Sequence, residues 1–413
     1  MARPWTSCSA GTPGVRFPAL PACEVRLSES TARRTFLKAG AALASLSVLP
    51  DRLMAAIGPA AVDRSVTMSH DGLVLTPQDY AALLQRITAD GKTVEDYYSQ
   101  GGAVAQLEAA CATVLGKETA VFMPTGTLAN HLALRALAGA DRRVLVQHES
   151  HLFNDTGDCA QTLSQLALMP LARGQATFTR ADVEEVVGRT ASGRVATHVG
   201  AISIETPVRR KAGEQFAPND LREVTTFARQ QGIRLHLDGA RMLLASAYSG
   251  IAPSEYAAMF DTVYISLWKG LNAASGAILA GPRSLLDGMF HTRRMFGGGL
   301  PQAWPYAAVA LHYLDGFVDR FRAGVQVSES FIAELHARGG VTAQRVANGT
   351  NIFRVPVVGI DTARVRTTLA ARGIEIAAAP AGASLITLQV NESWARRSGP
   401  ELATEFLRAL GKV

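Results

Sequence analysis

The sequence predicts an α/β protein built on an open, mostly parallel sheet. Two observations carry that expectation. Between residues 118 and 281, short apolar runs alternate with helix-like segments, the rhythm of strand–helix–strand units. Several of the runs are continuous Val, Ile and Leu, which suits parallel strands covered on both faces. Seven strands are expected: AVFM (120–123), RVLV (143–146), LALM (166–169), HVGAISIE (198–205), IRLHLD (233–238), TVYISL (262–267) and GAILAG (276–281). Helices are expected over LANHLALRALAG (128–139) and PNDLREVTTFARQQG (218–232). The second opens on Asn219-Asp220 and closes on Gly232, the asymmetry of a capped helix.

Beyond residue 299 the texture changes. AWPYAAVALHYLDGFVDRF (303–321) reads as one long helix, and NIFRVPV (351–357), IEIAAA (374–379) and SLITLQV (384–390) read as strands. Helices near 362–372 and 394–410 separate and follow them. The expected organisation is a large domain over 61–300, with an N-terminal arm, and a small C-terminal α/β domain over 301–413.

Composition narrows the function classes. At 413 residues, with 48% hydrophobic content and 37 glycines, the chain suits an ordinary globular protein with a large core. The formal charge of +6 is modest, and the Arg-Arg pairs form no continuous tract, so no nucleic-acid partner is expected. Four cysteines, with no CxxC or HExxH pattern, argue against a disulfide framework and against a metal.

Residues 1–60 differ in kind. TARRTFLKAGAALASLSVLP places Arg33-Arg34 before Phe36-Leu37-Lys38 and a short apolar run. That resembles a twin-arginine export signal, too short to span a bilayer. Ala32 stands where such signals usually carry Ser or Thr. Cleavage is expected among residues 55–61, a start codon downstream of Met1 fits the long preceding stretch, and the twin-arginine (Tat) translocase becomes an expected partner. The expected location is periplasmic or secreted; an N-terminal helix of a cytoplasmic protein is the alternative.

In open parallel sheets, ligands sit at the carboxyl ends of strands. After the first strand, Thr125-Gly126-Thr127 makes a hydroxylated turn into a helix, where free N–H groups and the helix dipole suit a phosphate; the same turn also caps many helices that bind nothing. Asp238 ends the fifth strand, where a carboxylate is costly without a partner. Arg241 is near enough in sequence to be that partner; otherwise Asp238 suits a protonated ring nitrogen. His148 and His151 follow the second strand. Lys269 is the one charge between residues 263 and 281; it reads either as a lysine snorkelling to water or as an amine desolvated to attack a carbonyl. Together, a phosphate turn, a carboxylate, a flat histidine and a desolvated lysine match the needs of pyridoxal 5'-phosphate (PLP), whose ring acts as an electron sink.

The motifs FMPTGTLANHLAL, HESHL, HLDGAR and SLWKGLNAASGAILAG follow in an order that resembles the threonine aldolase and aromatic amino acid β-eliminating lyase family, fold-type-I PLP enzymes, over residues 100–300. The resemblance implies that Lys269 carries the cofactor, Asp238 pairs with the pyridine nitrogen and His151 stacks on the ring. It implies that Thr125, Gly126 and Thr127, with Ser266, hold the phosphate. Arg241 would face the substrate carboxylate or the ring oxygen. It implies a homodimer or homotetramer with sites at subunit interfaces, where Tyr98 and the Gly-rich loop beside Arg294 would reach a neighbour's site. Departures fall in the substrate half: Pro301 replaces the usual Arg before Gln302, Ser384 stands near the usual carboxylate-binding Arg, and ETPVRRKAGE (205–214) lacks the usual histidine. LTPQDYAALLQRI (75–87) likewise replaces a Ser/Thr-rich segment. Arg209 and Arg210 become candidates for a relocated carboxylate site. The expected activity is cleavage of a β-hydroxy-α-amino acid to glycine and an aldehyde, with His151 or His148 as base. β-Elimination or racemisation of an amino acid is the alternative on the same fold. An exported binding protein without turnover is a third reading, against which the intact Lys269, Asp238 and His151 argue.

Overall fold

The computed structural model describes residues 63–380 and 382–412. The expected export signal lies outside the described residues. After a short strand β1 (Val66–Thr67), the chain lays down β2 (Thr119–Met123), β3 (Arg143–Gln147), β4 (Ala167–Leu171), β5 (Val199–Glu205), β6 (Arg234–Asp238), β7 (Thr262–Ser266) and β8 (Ala277–Gly281). These last seven form one sheet in the order β2-β8-β7-β6-β5-β3-β4. β8 runs antiparallel to β2 and β7, and the remaining neighbours are parallel. All seven expected strands are present, each within one residue of the expected bounds at either end, except that β4 runs two residues further.

The reason they were readable is their burial. β5, β7 and β8 are buried along their whole length, so selection for apolar residues acts at every position rather than every second one. β4, at the sheet edge, leaves Ala167 and Pro170 exposed, and an edge is where a proline can sit without losing a ladder hydrogen bond.

The topology brings the carboxyl ends of β2, β3, β5, β6 and β7 to one edge of the sheet, where antiparallel β8 begins. That edge carries the Thr125 turn, His151, Glu205, Asp238 and Lys269.

The C-terminal part holds a three-stranded antiparallel sheet, β12-β10-β9, of β9 (Gln344–Arg345), β10 (Ile352–Pro356) and β12 (Leu385–Gln389). The expected strand over 374–379 is only β11 (Ile374–Glu375), paired in parallel with β1. The single helix expected over 303–321 is two, Trp304–Leu314 and Phe317–Gly339. Gly316 sits between them at φ +61°, a left-handed conformation that ends one helix and starts the next. Apolar spacing hid the break because Ala307, Ala310, Leu314, Phe317 and Phe321 all pack into one core with the large sheet. Further along the second helix, Phe331 and Leu335 join a separate core with Trp394 and Phe406. Val66 and Met68 of the N-terminal arm are buried in that same C-terminal core. The helix expected over 394–410 begins as a 3-10 turn, Glu392–Arg396, and continues as Gly399–Leu410, capped by Ser398.

Candidate active site

A cavity of about 690 Å³ opens at the strand ends, lined among others by Thr125, Gly126, Thr127, His151, Asp238, Arg241 and Lys269. With Arg209, eight of the residues picked out in the sequence line this one space. Thr125 caps the Gly126–Ala138 helix, its Oγ1 accepting from the Leu128 N–H at 3.2 Å. The N–H groups of Gly126 and Thr127 in that first turn have no partner within the helix, and both residues line the cavity. A Cβ at Gly126 would collide with the ring and hydroxyl of Tyr264, so glycine lets this helix terminus approach the sheet closely.

Asp238 is held by a relay that sequence reasoning missed. Asn130 Nδ2 donates to Asp238 Oδ2 at 2.6 Å, and Asn130 Oδ1 lies 2.9 Å from His236 Nε2. His236 Nδ1 lies 2.8 Å from Thr262 Oγ1. Because the Asn130 amide gives its N–H to a carboxylate, its oxygen must accept, so His236 donates from Nε2 and accepts from Thr262 at Nδ1. Burial pushes His236 down to about 3, consistent with a neutral ring. Arg241 does not compensate Asp238, contrary to the pairing its closeness in sequence suggested. Its Nε and Nη2 donate to Asp71 Oδ2 at 2.9 and 2.8 Å. The hydrogen bonds Asp238 receives come from neutral donors, Asn130 and the Ala240 N–H. A carboxylate supported in this way suits a cationic ring nitrogen.

Lys269 is drawn down to about 8 by burial and then by the charge of Arg241. Its Nζ sits 5.0 Å from the centre of the Trp268 ring. Glu205, unremarked in the sequence except as the start of a divergent stretch, is buried at the cavity wall and sits opposite Asp238 in the β5–β6 register. Burial and the Asp238 charge raise it to about 7. Its two oxygens accept the backbone N–H groups of His151 and Arg209 at 2.5 and 2.8 Å, tying both loops to the sheet.

The sequence profile of the beta-eliminating lyase family matches residues 82–357 of the 413. The chain belongs to that family. Among its relatives, a low-specificity L-threonine aldolase of Candida albicans is 30% identical over 226 residues, covering 54% of this chain and 59% of the relative. An alanine racemase of Cochliobolus carbonum is 29% identical over 257 residues, covering 61% and 64%. The chain therefore spans about three fifths of the length of these two relatives. A crystal structure from Listeria monocytogenes, described as a candidate L-allo-threonine aldolase, superposes with a TM-score of 0.70 at 25% identity, over 85% of this chain and 97% of that one.

The remaining expected residues divide. Arg209 lines the cavity, whereas Arg210 stays outside its lining and pairs with Asp155, which both arginines share at 3.0 and 2.7 Å. The hydrogen bond from Arg210, with help from Arg209, holds Asp155 down at about 2. Of the two histidines, His151 faces the cavity while His148 turns to Glu149 at 2.9 Å. Burial lowers His151, leaving a neutral imidazole near pH 7. Ser266 is not in the cavity lining, and its buried Oγ has no hydrogen-bond partner among the described residues. Tyr98 and Arg294 stack on each other at 4.7 Å, away from this cavity. Among the described residues no group of three or more His, Cys, Asp or Glu is placed to hold a metal.

The missed residues carried signals. His236 lies two positions before Asp238 and so on the same strand face; a histidine inside an apolar strand is itself unusual. Asn130 is a buried amide on an otherwise apolar helix face. Glu205 ends a buried strand as Asp238 does.

Proposed function

We propose that the protein is a PLP-dependent lyase that cleaves a β-hydroxy-α-amino acid to glycine and an aldehyde. The observation that carries this reading is the convergence of Lys269, Asp238 with its neutral relay, and the Thr125-Gly126-Thr127 turn in one cavity. The donor set fits PLP. The helix terminus and two threonine hydroxyls suit a phosphate, Asp238 suits a protonated pyridine nitrogen, and Lys269 is a partly neutral amine placed to hold the cofactor covalently. Bound there, PLP supplies an electron sink conjugated to the reacting carbon.

The chain's own groups do the rest. His151, neutral near pH 7, accepts the proton of the substrate's β-hydroxyl as the Cα–Cβ bond breaks. Lys269 Nζ returns a proton to Cα, an act for which a value near 8 is well matched. Arg209 draws in the substrate carboxylate, and Glu205 keeps the His151 and Arg209 loops in register with the sheet. A subunit interface completing the site, and export of the folded protein through the twin-arginine route, belong to the same proposal. They find their support in the family's habit and in Arg33-Arg34.

The alanine racemase relative supports a second reading, in which Lys269 moves an α-proton without carbon–carbon cleavage. Visible spectra of the purified protein with added PLP, for wild type and Lys269→Ala, test the cofactor: a colourless wild type removes both readings. Aldehyde release from threonine, allo-threonine and phenylserine then separates them. A coloured protein that releases no aldehyde yet exchanges the α-hydrogen of alanine for deuterium is a racemase-type enzyme.

A further inference from the structure

Glu205 and Asp238 end adjacent parallel strands and stand opposite one another in the β5–β6 register. Their side chains therefore leave the sheet on the same face, from backbones about 5 Å apart. Both are buried and both line the cavity. Two carboxylates this close and this dry repel, and one of them readily keeps a proton. The Glu205 backbone cannot turn away. Buried Gln147 of β3 clasps it, with Nε2 donating to the Glu205 C=O at 2.7 Å and Oε1 accepting the Glu205 N–H at 2.8 Å.

What Glu205 holds gives its charge a consequence. Its oxygens take the N–H groups of His151 and Arg209, one on the proposed base and the other on the proposed carboxylate contact. An ionised acceptor makes a hydrogen bond about twice as strong as a neutral one, so a proton on Glu205 slackens both loops together. Among the charged groups facing Glu205, Asp238 acts most strongly, and after burial it is what raises Glu205 to about 7. Arg241 opposes it less, being committed to Asp71. Arg209 and Arg210 share Asp155, and His151 is neutral near pH 7. Burial pushes the Tyr264 phenol up, so it stays uncharged. Lys269, a partly neutral amine, acts on Glu205 less than Asp238 does. A cation seated on Asp238 therefore cancels the main repulsion that Glu205 feels.

We infer that Glu205 is a proton-linked positioning residue: a pyridinium on Asp238 drives the Glu205 proton into solvent, and the resulting carboxylate tightens the His151 and Arg209 loops. The charge of the cofactor ring thus sets the loops that meet the substrate. The linkage rests on the PLP reading of the cavity and on no particular reaction. Its sign is definite. The cofactor-free protein holds the Glu205 proton up to about 7 and the loaded protein holds it less tightly, so PLP affinity gains a rise with pH that is complete just above 7.

The test measures PLP affinity of the wild type and of Glu205→Gln from about pH 5.5 to 8.5, taking the ratio so that proton changes at PLP and Lys269 cancel. The ratio should move about threefold or more in favour of the wild type as pH rises, and level off above about 7.5. Hydrogen exchange of the wild type, read by peptide mass and corrected for the intrinsic effect of pH, needs no variant. Peptides spanning His151 and Arg209 should lose protection below about pH 7 in the cofactor-free protein and keep it to lower pH with PLP bound. Gln has one carbonyl oxygen, so Glu205→Gln should leave one of the two peptides unprotected at every pH. A ratio independent of pH overturns the linkage, as does protection that responds to neither pH nor PLP; in both cases the bound PLP upholds the cofactor reading. A protein that binds no PLP at any pH overturns that reading and the linkage with it.

Discussion

A lysine pulled down to about 8 is roughly one-tenth neutral at a pH one unit lower. Labelling of cofactor-free Lys269 by an amine-selective reagent, read by peptide mass, should climb about tenfold per pH unit and level off near 8. A curve still climbing past pH 9.5 would mean that burial and Arg241 do not act on this amine. Asn130 is the other informative residue. Asn130→Ala removes the 2.6 Å bond to Asp238 and leaves the buried His236 Nε2–H without its acceptor. A buried donor without a partner costs about 1–3 kcal/mol. The urea midpoint should fall accordingly and PLP should bind more weakly. An unchanged midpoint together with unchanged PLP affinity would remove the relay from the account.

At the scale of elements, the site depends on how closely the Gly126–Ala138 helix approaches the sheet. Tyr264 of β7 occupies the space that a side chain at position 126 would need. Gly126→Ala must therefore push the helix terminus or the tyrosine aside, and overpacking of this kind costs about 1–3 kcal/mol. PLP affinity should fall by more than the loss of stability alone explains, because the displaced turn is the proposed phosphate contact. Normal PLP affinity in a destabilised Gly126→Ala protein would separate the turn from the cofactor.

At the scale of the whole molecule, the buried Asp71–Arg241 pair fastens the N-terminal arm to the turn after β6, and Asn351 of the C-terminal part closes the cluster through Asp71. Removing one partner of a buried pair costs about 3–5 kcal/mol because the other charge is stranded. Asp71→Asn should lower stability by that order. The pH dependence has a definite sign. Burial works against the Asp71 charge, but Arg241 and Asn351 outweigh it and hold Asp71 below its ordinary 3.8. The folded protein thus binds this proton less tightly than the unfolded chain. Its stabilising effect is complete above about pH 4–5 and fades as pH falls through the lowered value. Denaturation of wild type and Asp71→Asn across pH 2–7 should show a gap that is constant near neutrality and narrows in acid. A gap independent of pH would assign the loss to packing.

The strands of the large sheet were legible because burial on both faces leaves its mark at every position, and the chemistry showed wherever a charge interrupted such a run. Asp238 and Lys269 stood out for that reason: an ionisable group at the end of a buried strand needs a purpose or a partner. The helix break at Gly316 was hidden because apolar spacing runs on through it into one core. What tertiary structure alone decided were the partnerships. Arg241 lies 3 residues from Asp238 in sequence, yet pairs with Asp71, 170 residues away. Asn130, 108 residues from Asp238, supplies the hydrogen bond instead. Sequence by itself determined which side chains would gather at the strand ends, since period and burial are local properties of the chain. Which charges neutralise one another, and which remain for a ligand, depends on distances that exist only once the arm, the sheet and the C-terminal part are packed together.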